Sequence, residues 1–187
     1  MFSMTLKFRI LHLEEISSTN TLAREYADHG EPEGLVIAAE YQTAGRGKPG
    51  RKWFSPKGKN LLFSVLIRPP IAPSRAPIVT QIACRSVAKA LNTRFGINSA
   101  FKRPNDLLVN GKKICGVLVE ASSRSNGKLD AIIIGIGLNV NASPPEVLPE
   151  AVSIREIKGK EYNKVPILKA ILAQFRRDIR ELYAHSA

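Results

Sequence analysis

The stretch EYQTAGRGKPGRKWFSP, Glu40 to Pro56, decides between folds. It contains Gly45-Arg46-Gly47-Lys48-Pro49-Gly50, a literal GxGxxG string, directly after an apolar run from Gly34 to Tyr41 that reads as a buried strand. A dinucleotide-binding crossover would need a helix next and an acidic residue about twenty positions further on. RKWFSPKGKN cannot open an ordinary helix between Pro49 and Pro56, and no acid appears before Asp106. A phosphate-cradling P-loop fails as well, because Gly50 is followed by Arg51-Lys52 rather than by Lys-Ser or Lys-Thr. What remains is a long basic loop from Gln42 to Lys59 without secondary structure of its own. Loops of that length in compact domains are usually functional lids or disordered. Its glycines let the backbone approach a ligand, its cations suit phosphate or carboxylate, and Trp53 and Phe54 give it apolar surface to close with.

Outward from this loop the chain alternates strands and helices. Phe8 to Leu13 suits an edge strand. Ser17-Ser18-Thr19-Asn20 offers capping residues for a helix through Asp28, with Gly30 as its stop. Asn60 to Ile67 is a second buried strand, closed by Pro69-Pro70. Ile78 to Phe95 has helical periodicity and ends at Gly96. Leu107 to Val109, the turn Asn110-Gly111 and Ile114 to Glu120 make a hairpin. A turn at Ser125-Asn126-Gly127 leads to a strand from Ala131 to Val140. Ser143 to Pro149 reads as loop, and Val165 to Tyr183 as an amphipathic helix. The expectation is a single α+β domain over residues 1–187, with a mixed sheet flanked by helices.

Composition narrows the function. With 44% hydrophobic residues but only 6% aromatic, the core must be aliphatic. No run reaches the roughly 18 apolar residues of a membrane span, and Glu14 interrupts the N-terminus before a signal-peptide core can develop. Cys84 and Cys115 sit in apolar runs and read as free thiols of a reducing cytoplasm. The three histidines have no metal-ligand spacing, so no structural metal is expected. The net charge of +12 is concentrated between Tyr41 and Asn105, which hold thirteen basic residues and no acidic one. The remainder carries 15 basic against 16 acidic side chains. Such a field calls for an anionic partner: nucleotide phosphates, nucleic acid or an acidic protein. Against nucleic acid, the cations from Arg75 to Arg94 lie along a predicted helix with no recognised binding motif beside them.

Four blocks in order carry a family resemblance. Glu40 to Pro56 is similar to the biotin-binding loop of biotin–protein ligases. Ser18-Thr19-Asn20 matches that family's early Ser-Thr-Asn. Lys102-Arg103-Pro104-Asn105-Asp106, with Gly111 to Glu120 after it, resembles its Lys-Trp-Pro-Asn-Asp and the following strand. Gly135 to Asn141 matches its glycine-rich strand ending in Asn. The match spans roughly residues 14 to 141. A lipoate-type ligase shares the fold but lacks the Gly45 to Pro56 string.

The resemblance implies ATP-dependent activation of biotin to biotinyl-5'-AMP, with Mg²⁺ accompanying ATP, and transfer to a lysine of a biotin carboxyl carrier protein. By it, Ser18, Thr19 and Gln42 hydrogen-bond the biotin ureido ring, aided by backbone groups of Gly45 and Arg46, and Asn20 and Gly47 belong to the same binding site. Thr19 and Asn20 also suit helix capping, and the two roles are compatible. Gly116 and Gly137 would admit ligand where a side chain would block it, or mark ordinary close strand packing. Lys113 would be the central catalytic cation between carboxylate and α-phosphate, and its neighbour Lys112 should face away from it on a strand. Asp106 would lie beside the adenylate, helping Mg²⁺, or serve turn chemistry with Asn105. Arg46, Lys48, Arg51 and Lys102 would meet phosphate charge. Trp53, Asn105 and Asn139 would line the pocket, and closure of the Gln42 to Lys59 loop would gate it.

Three departures qualify this. Lys48 stands where the family usually has arginine, which removes a forked phosphate donor. Arg103 replaces the usual tryptophan and could stack on adenine instead. The chain also ends at Ala187, without the family's small β-barrel domain, and leaves no room before Phe8 for a helix-turn-helix. DNA regulation is therefore not expected. An alternative reading is a non-catalytic or weakly active binder of biotin or biotinyl-AMP. Relatives often dimerise through the sheet, and the resemblance extends to this chain the expectation of a homodimer.

Overall fold

A computed structural model of the chain describes residues 6–123, 129–142 and 150–184. One mixed sheet has the strand order β1-β2-β3-β7-β6-β5-β4. Its members are β1 (Arg9–Ile16), β2 (Leu35–Gln42), β3 (Leu61–Ile67), β4 (Ala100–Lys102), β5 (Asp106–Val109), β6 (Lys112–Ser123) and β7 (Leu129–Leu138). β1 runs parallel to β2, and the other pairings are antiparallel. A parallel pair needs a crossover, and α1 (Thr19–Asp28) supplies it.

The apolar runs are continuous because the central strands are buried on both faces. Phe63, Val65 and Ile67 of β3, with Ile132, Ile134 and Ile136 of β7, pack under α2 (Pro77–Phe95) and α4 (Lys164–Ala184). Leu66, Ala131 and Ile133 face the other way, beneath α1 with its Ala23 and Ala27. The α+β architecture is thus the expected one, and β1 is an edge strand as its short apolar run suggested. Asn110 (φ 50°) and Gly111 (φ 79°) both take the left-handed conformation that a two-residue hairpin turn requires. Gly96 (φ 64°) ends α2.

Two elements escaped the sequence reading. β4 is exposed along all three residues, so it carries no apolar signature. The short α3 (Ile154–Lys158) opens with a full capping box, Ser153 and Glu156 bonding each other's backbone. That Ser-x-x-Glu spacing was available in the sequence as a helix-start signal. The turn at Ser125-Asn126-Gly127 and the loop from Ser143 to Pro149 lie outside the described residues.

The two long helices share one buried carboxylate. Asp178 on α4 accepts hydrogen bonds from Lys89 Nζ at 2.8 Å, Gln174 Nε2 at 2.9 Å and Ser86 Oγ at 3.0 Å. Burial pushes its pKa up, but these hydrogen bonds and the Lys89 charge outweigh burial and hold it below the usual aspartate value. A carboxyl depressed in the folded state stabilises the fold above its unfolded pKa, and that contribution is lost as pH falls through the folded value. Asp178→Asn should therefore cost about 1–3 kcal/mol at neutral pH, or roughly 2–4 °C of Tm per kcal/mol. The gap from wild type should narrow below about pH 4, as thermal melts across pH 3 to 7 would show. A constant gap down to pH 3 would exclude this linkage.

Candidate active site

The outer part of the α1 face carries glycine where the inner part carries apolar side chains. On β7 this face reads Ala131, Ile133, Gly135, Gly137, and Gly137 sits opposite Gly116 of β6. The bare patch floors a cavity of about 500 Å³. Its walls are the start of α1, the end of β2, the basic loop, and the β4–β5–β6 edge.

Every predicted site residue except Gly45 lines this cavity: Ser18, Thr19, Asn20, Gln42, Arg46, Gly47, Lys48, Arg51, Trp53, Lys102, Asn105, Asp106, Lys113, Gly116, Gly137 and Asn139. Gly45 lies behind, where an added Cβ would stand 2.6 Å from the Trp53 carbonyl. It is glycine so that two chain segments can touch. The loop also has more structure than expected. Arg46 and Lys52 form an antiparallel bridge, closed by Gly47 N to Arg51 O at 2.9 Å and Trp53 N to Gly45 O at 3.0 Å. A chain reversal at Lys48-Pro49-Gly50, with Gly50 at φ 77°, lets the two arms pair.

The glycine floor carries tryptophan. A Cβ on Gly137 would stand 2.4 Å from Trp53 Cε2, and one on Gly116 would stand 2.9 Å from Cζ3. The indole therefore uses the clearance that the sequence reading assigned to ligand. Its Nε1 is buried without a hydrogen-bond partner among the described residues, and Lys113 Nζ lies 5.4 Å from the ring centre.

Ser18 precedes α1 in extended conformation but makes no side-chain cap bond. The cap comes from outside the helix: Gln42 Oε1 accepts from Thr19 N at 2.8 Å and lies 3.0 Å from Thr19 Oγ1. Asn20 Nδ2 donates to Glu120 Oε2 at 2.7 Å, and Arg46 Nη2 reaches the same oxygen at 3.1 Å. Ser64 Oγ lies 2.7 Å from Thr19 Oγ1 and 2.6 Å from Asn20 Oδ1. Asn20 rests on Gly135, where a Cβ would stand 2.2 Å from its Oδ1. The sequence reading missed Ser64, Glu120 and Gly135 as contributors. Ser64 was signalled as a lone hydroxyl inside the apolar run LLFSVLI, and Glu120 as an acid ending KICGVLVE.

Lys112 is exposed, while Lys113 turns to the cavity, as strand alternation requires. Lys113 Nζ pairs with Asp106 Oδ1 at 2.8 Å, and its backbone is fixed by Glu150 O and Val152 N. Asn105 Nδ2 bonds Val117 O at 2.8 Å. Asn139 is buried, its Nδ2 shared between Val152 O at 3.2 Å and Lys113 O at 3.4 Å. Both asparagines brace backbone at the cavity edge.

Of the thirteen cations between Tyr41 and Asn105, six line the cavity: Arg46, Lys48, Arg51, Lys52, Lys102 and Arg103. Others serve the fold. Arg68 bonds the carbonyl of Ala27 in the last turn of α1 and that of Glu31 just beyond it, and Lys89 holds Asp178. Behind the site, burial first and the Asp106 charge second push the Cys84 thiol up to about 12. Cys115, fully buried, is raised well above its ordinary value chiefly by burial. Both remain protonated thiols.

With this geometry in place, the comparisons define the class. The model of the biotin/lipoate A/B protein ligase family matches residues 13–139, and the chain belongs to that family. It is 34% identical over 180 residues to the bifunctional ligase/repressor BirA of Bacillus spizizenii, covering 94% of this chain and 55% of that protein. The chain thus spans about half the length of that curated relative. It is similar to the biotin protein ligase from Aquifex aeolicus in complex with biotin and ATP, with a TM-score of 0.80 and 30% identity over 95% of this chain and 73% of that one. It is similar also to the Leishmania major enzyme in complex with biotinyl-5-AMP, with a TM-score of 0.79 and 29% identity over 92% and 75% of the two chains.

Trp53 is the only tryptophan in the chain. Gly137→Ala should lift it from the floor, shift its fluorescence to the red and abolish ligand binding to the cavity. Unchanged emission from a folded Gly137→Ala variant would refute the packing.

Proposed function

We propose that this domain joins the biotin carboxylate to AMP and passes the biotinyl group to a lysine of a biotin carboxyl carrier protein. The observation that carries this reading is convergence. One cavity brings together a buried polar wall, an inward lysine and a rim of six cations over a glycine floor on which the Trp53 indole lies. The matched family and relatives crystallised with biotin, ATP or biotinyl-5-AMP support it.

In this reading Thr19 and Gln42 hold the ureido ring and the bicycle packs on the Trp53 indole that lies over the glycine floor. A biotin carboxylate oxygen attacks the α-phosphorus of ATP; the bond to the bridging oxygen breaks and pyrophosphate leaves. Lys113, kept at the wall by Asp106, spans the carboxylate and α-phosphate, where negative charge builds up in the transition state. Arg46, Lys48, Arg51 and Lys102 neutralise the phosphates, and the closed hairpin keeps water from the mixed anhydride. The carrier lysine, as free amine, then attacks the anhydride carbonyl and expels AMP. Arg103 stacks on the base. Mg²⁺ enters as part of the nucleotide substrate. Asp106 is already paired with Lys113, and the described residues offer no free carboxylate cluster for a protein-borne site.

A carrier with an acidic surface suits the cationic rim. Reduced cysteines suit a cytoplasmic setting, and among the described residues no helix is long and apolar enough to cross a membrane. The open edges β1 and β4 leave room for a second copy in the sheet.

The test is biotin-dependent exchange of labelled pyrophosphate into ATP. Exchange is expected, and Lys113→Ala should lower it by at least about 10²-fold, the worth of one transition-state donor. Biotin binding without exchange would show a binding domain rather than a ligase. The absence of both biotin binding and exchange would overturn the reading.

A further inference from the structure

Neither Ser64 nor Glu120 lines the cavity, yet together they constrain its hydrogen-bond polarity. A carboxylate can only accept, so the Asn20 group facing Glu120 Oε2 at 2.7 Å must be the NH₂. That orientation turns Asn20 Oδ1, a pure acceptor, toward Ser64 Oγ at 2.6 Å. At the other end, the Thr19 N–H fixes the Gln42 oxygen, again an acceptor, toward Thr19 Oγ1. Between these two ends lie three oxygen–oxygen contacts: 2.6 Å from Ser64 to Asn20, 2.7 Å from Ser64 to Thr19, and 3.0 Å from Thr19 to Gln42. The two hydroxyls supply only two hydrogens for them. One contact must go without, and the longest is the one at the cavity wall. The two shorter distances fit O–H···O bonds, in which Thr19 donates to Ser64 and Ser64 donates to Asn20.

We propose that Ser64 and Glu120 keep this chain one hydrogen short, so that its cavity end selects a substrate N–H over an isosteric oxygen. The N–H would settle between Thr19 Oγ1 and Gln42 Oε1 and supply the missing hydrogen. Ser64 and Glu120 are specificity-determining residues that act through Thr19 and Gln42 without touching substrate. The inference deepens the biotin reading and rests on it: a cyclic urea offers the required N–H, and a cyclic carbamate with ring oxygen in its place does not.

The geometry also says how to remove the selectivity. Ser64→Ala deletes one oxygen, which frees the Thr19 hydroxyl to donate to Gln42. Glu120→Lys replaces an acceptor with a donor and turns the Asn20 amide. Its NH₂ then donates to Ser64, Ser64 to Thr19, and Thr19 to Gln42. In both variants the end contact gains its own hydrogen.

The experiment is calorimetric binding of biotin and of its two carbamate analogues, each with one ureido N–H replaced by oxygen, to the wild-type chain and both variants. The wild type should bind one carbamate about 10- to 100-fold more weakly than biotin, the effect of leaving a buried acceptor unmatched. In each variant that ratio should fall to within about threefold, whatever happens to absolute affinity. Using the ratio removes any general loosening of the site. Glu120 is partly exposed, so Glu120→Lys serves should Ser64→Ala not fold. Wild-type selectivity retained in the variants would overturn the proposal, as would equal binding of biotin and both carbamates by the wild type. Failure of the wild type to bind biotin at all would instead remove the biotin reading on which it rests.

Discussion

The site depends on one constraint: a sheet can receive other parts of the chain closely only where its strands lose their side chains. Gly116, Gly135 and Gly137 provide that bare area on one face of β6 and β7. Asn20 comes down on Gly135 and Trp53 on Gly137 and Gly116, each nearer than any Cβ would allow. These contacts locate the start of α1 and the basic hairpin, which carry the polar wall and most of the cations. Glycine inside a strand weakens it, and here the flanking residues compensate. Ile133 and Ala131 continue the same face under α1, while the opposite face of β7 is fully covered by α2 and α4. The weak spot is held open by a rigid surround.

Charge is organised in the same way. A chain at +12 repels itself unless its cations are spent on particular tasks. Arg68 binds a carbonyl in the last turn of α1, where the helix dipole favours a cation, and Lys89 neutralises the buried Asp178. Lys113 is checked by Asp106. The rim cations have fewer such partners, so the uncompensated field is greatest over the cavity mouth. Local pairing thus converts a diffuse basic composition into a directed one.

Much of this was legible in the sequence, and the reasons differ by element. The hairpin at Asn110-Gly111 and the stop at Gly96 follow from backbone conformations that few residues adopt. The inward direction of Lys113 follows from strand alternation once β6 is recognised. Convergence of the site residues came from resemblance, since no spacing rule brings Thr19, Gln42 and Lys113 together across the sheet. What stayed hidden was contact between distant segments. Nothing local says that Gly116 and Gly137 lie under Trp53, that Gly45 exists for the Trp53 carbonyl, or that Gln42 caps α1 in place of Ser18. β4 was invisible for a simpler cause: an exposed three-residue strand is held by its neighbour's hydrogen bonds, and its side chains do not report it.

The exceptions to local rules are not scattered. Ser18 occupies a cap position without capping, Ser64 puts a hydroxyl into a fully buried strand, Asn20 buries an amide, and three glycines interrupt strand interiors. All lie within one region around the cavity. Away from it, α2 and α4 pack as periodicity dictates, α2 stops at Gly96, and the buried Asp178 is fully supplied with donors. Departures from local rules gathered around one cavity mark a place where something other than stability was selected. In this domain the exceptions share a chemistry. Each either clears space over the sheet or fixes the direction of a hydrogen bond, the two requirements for gripping a small, rigid, polar ring against a flat floor.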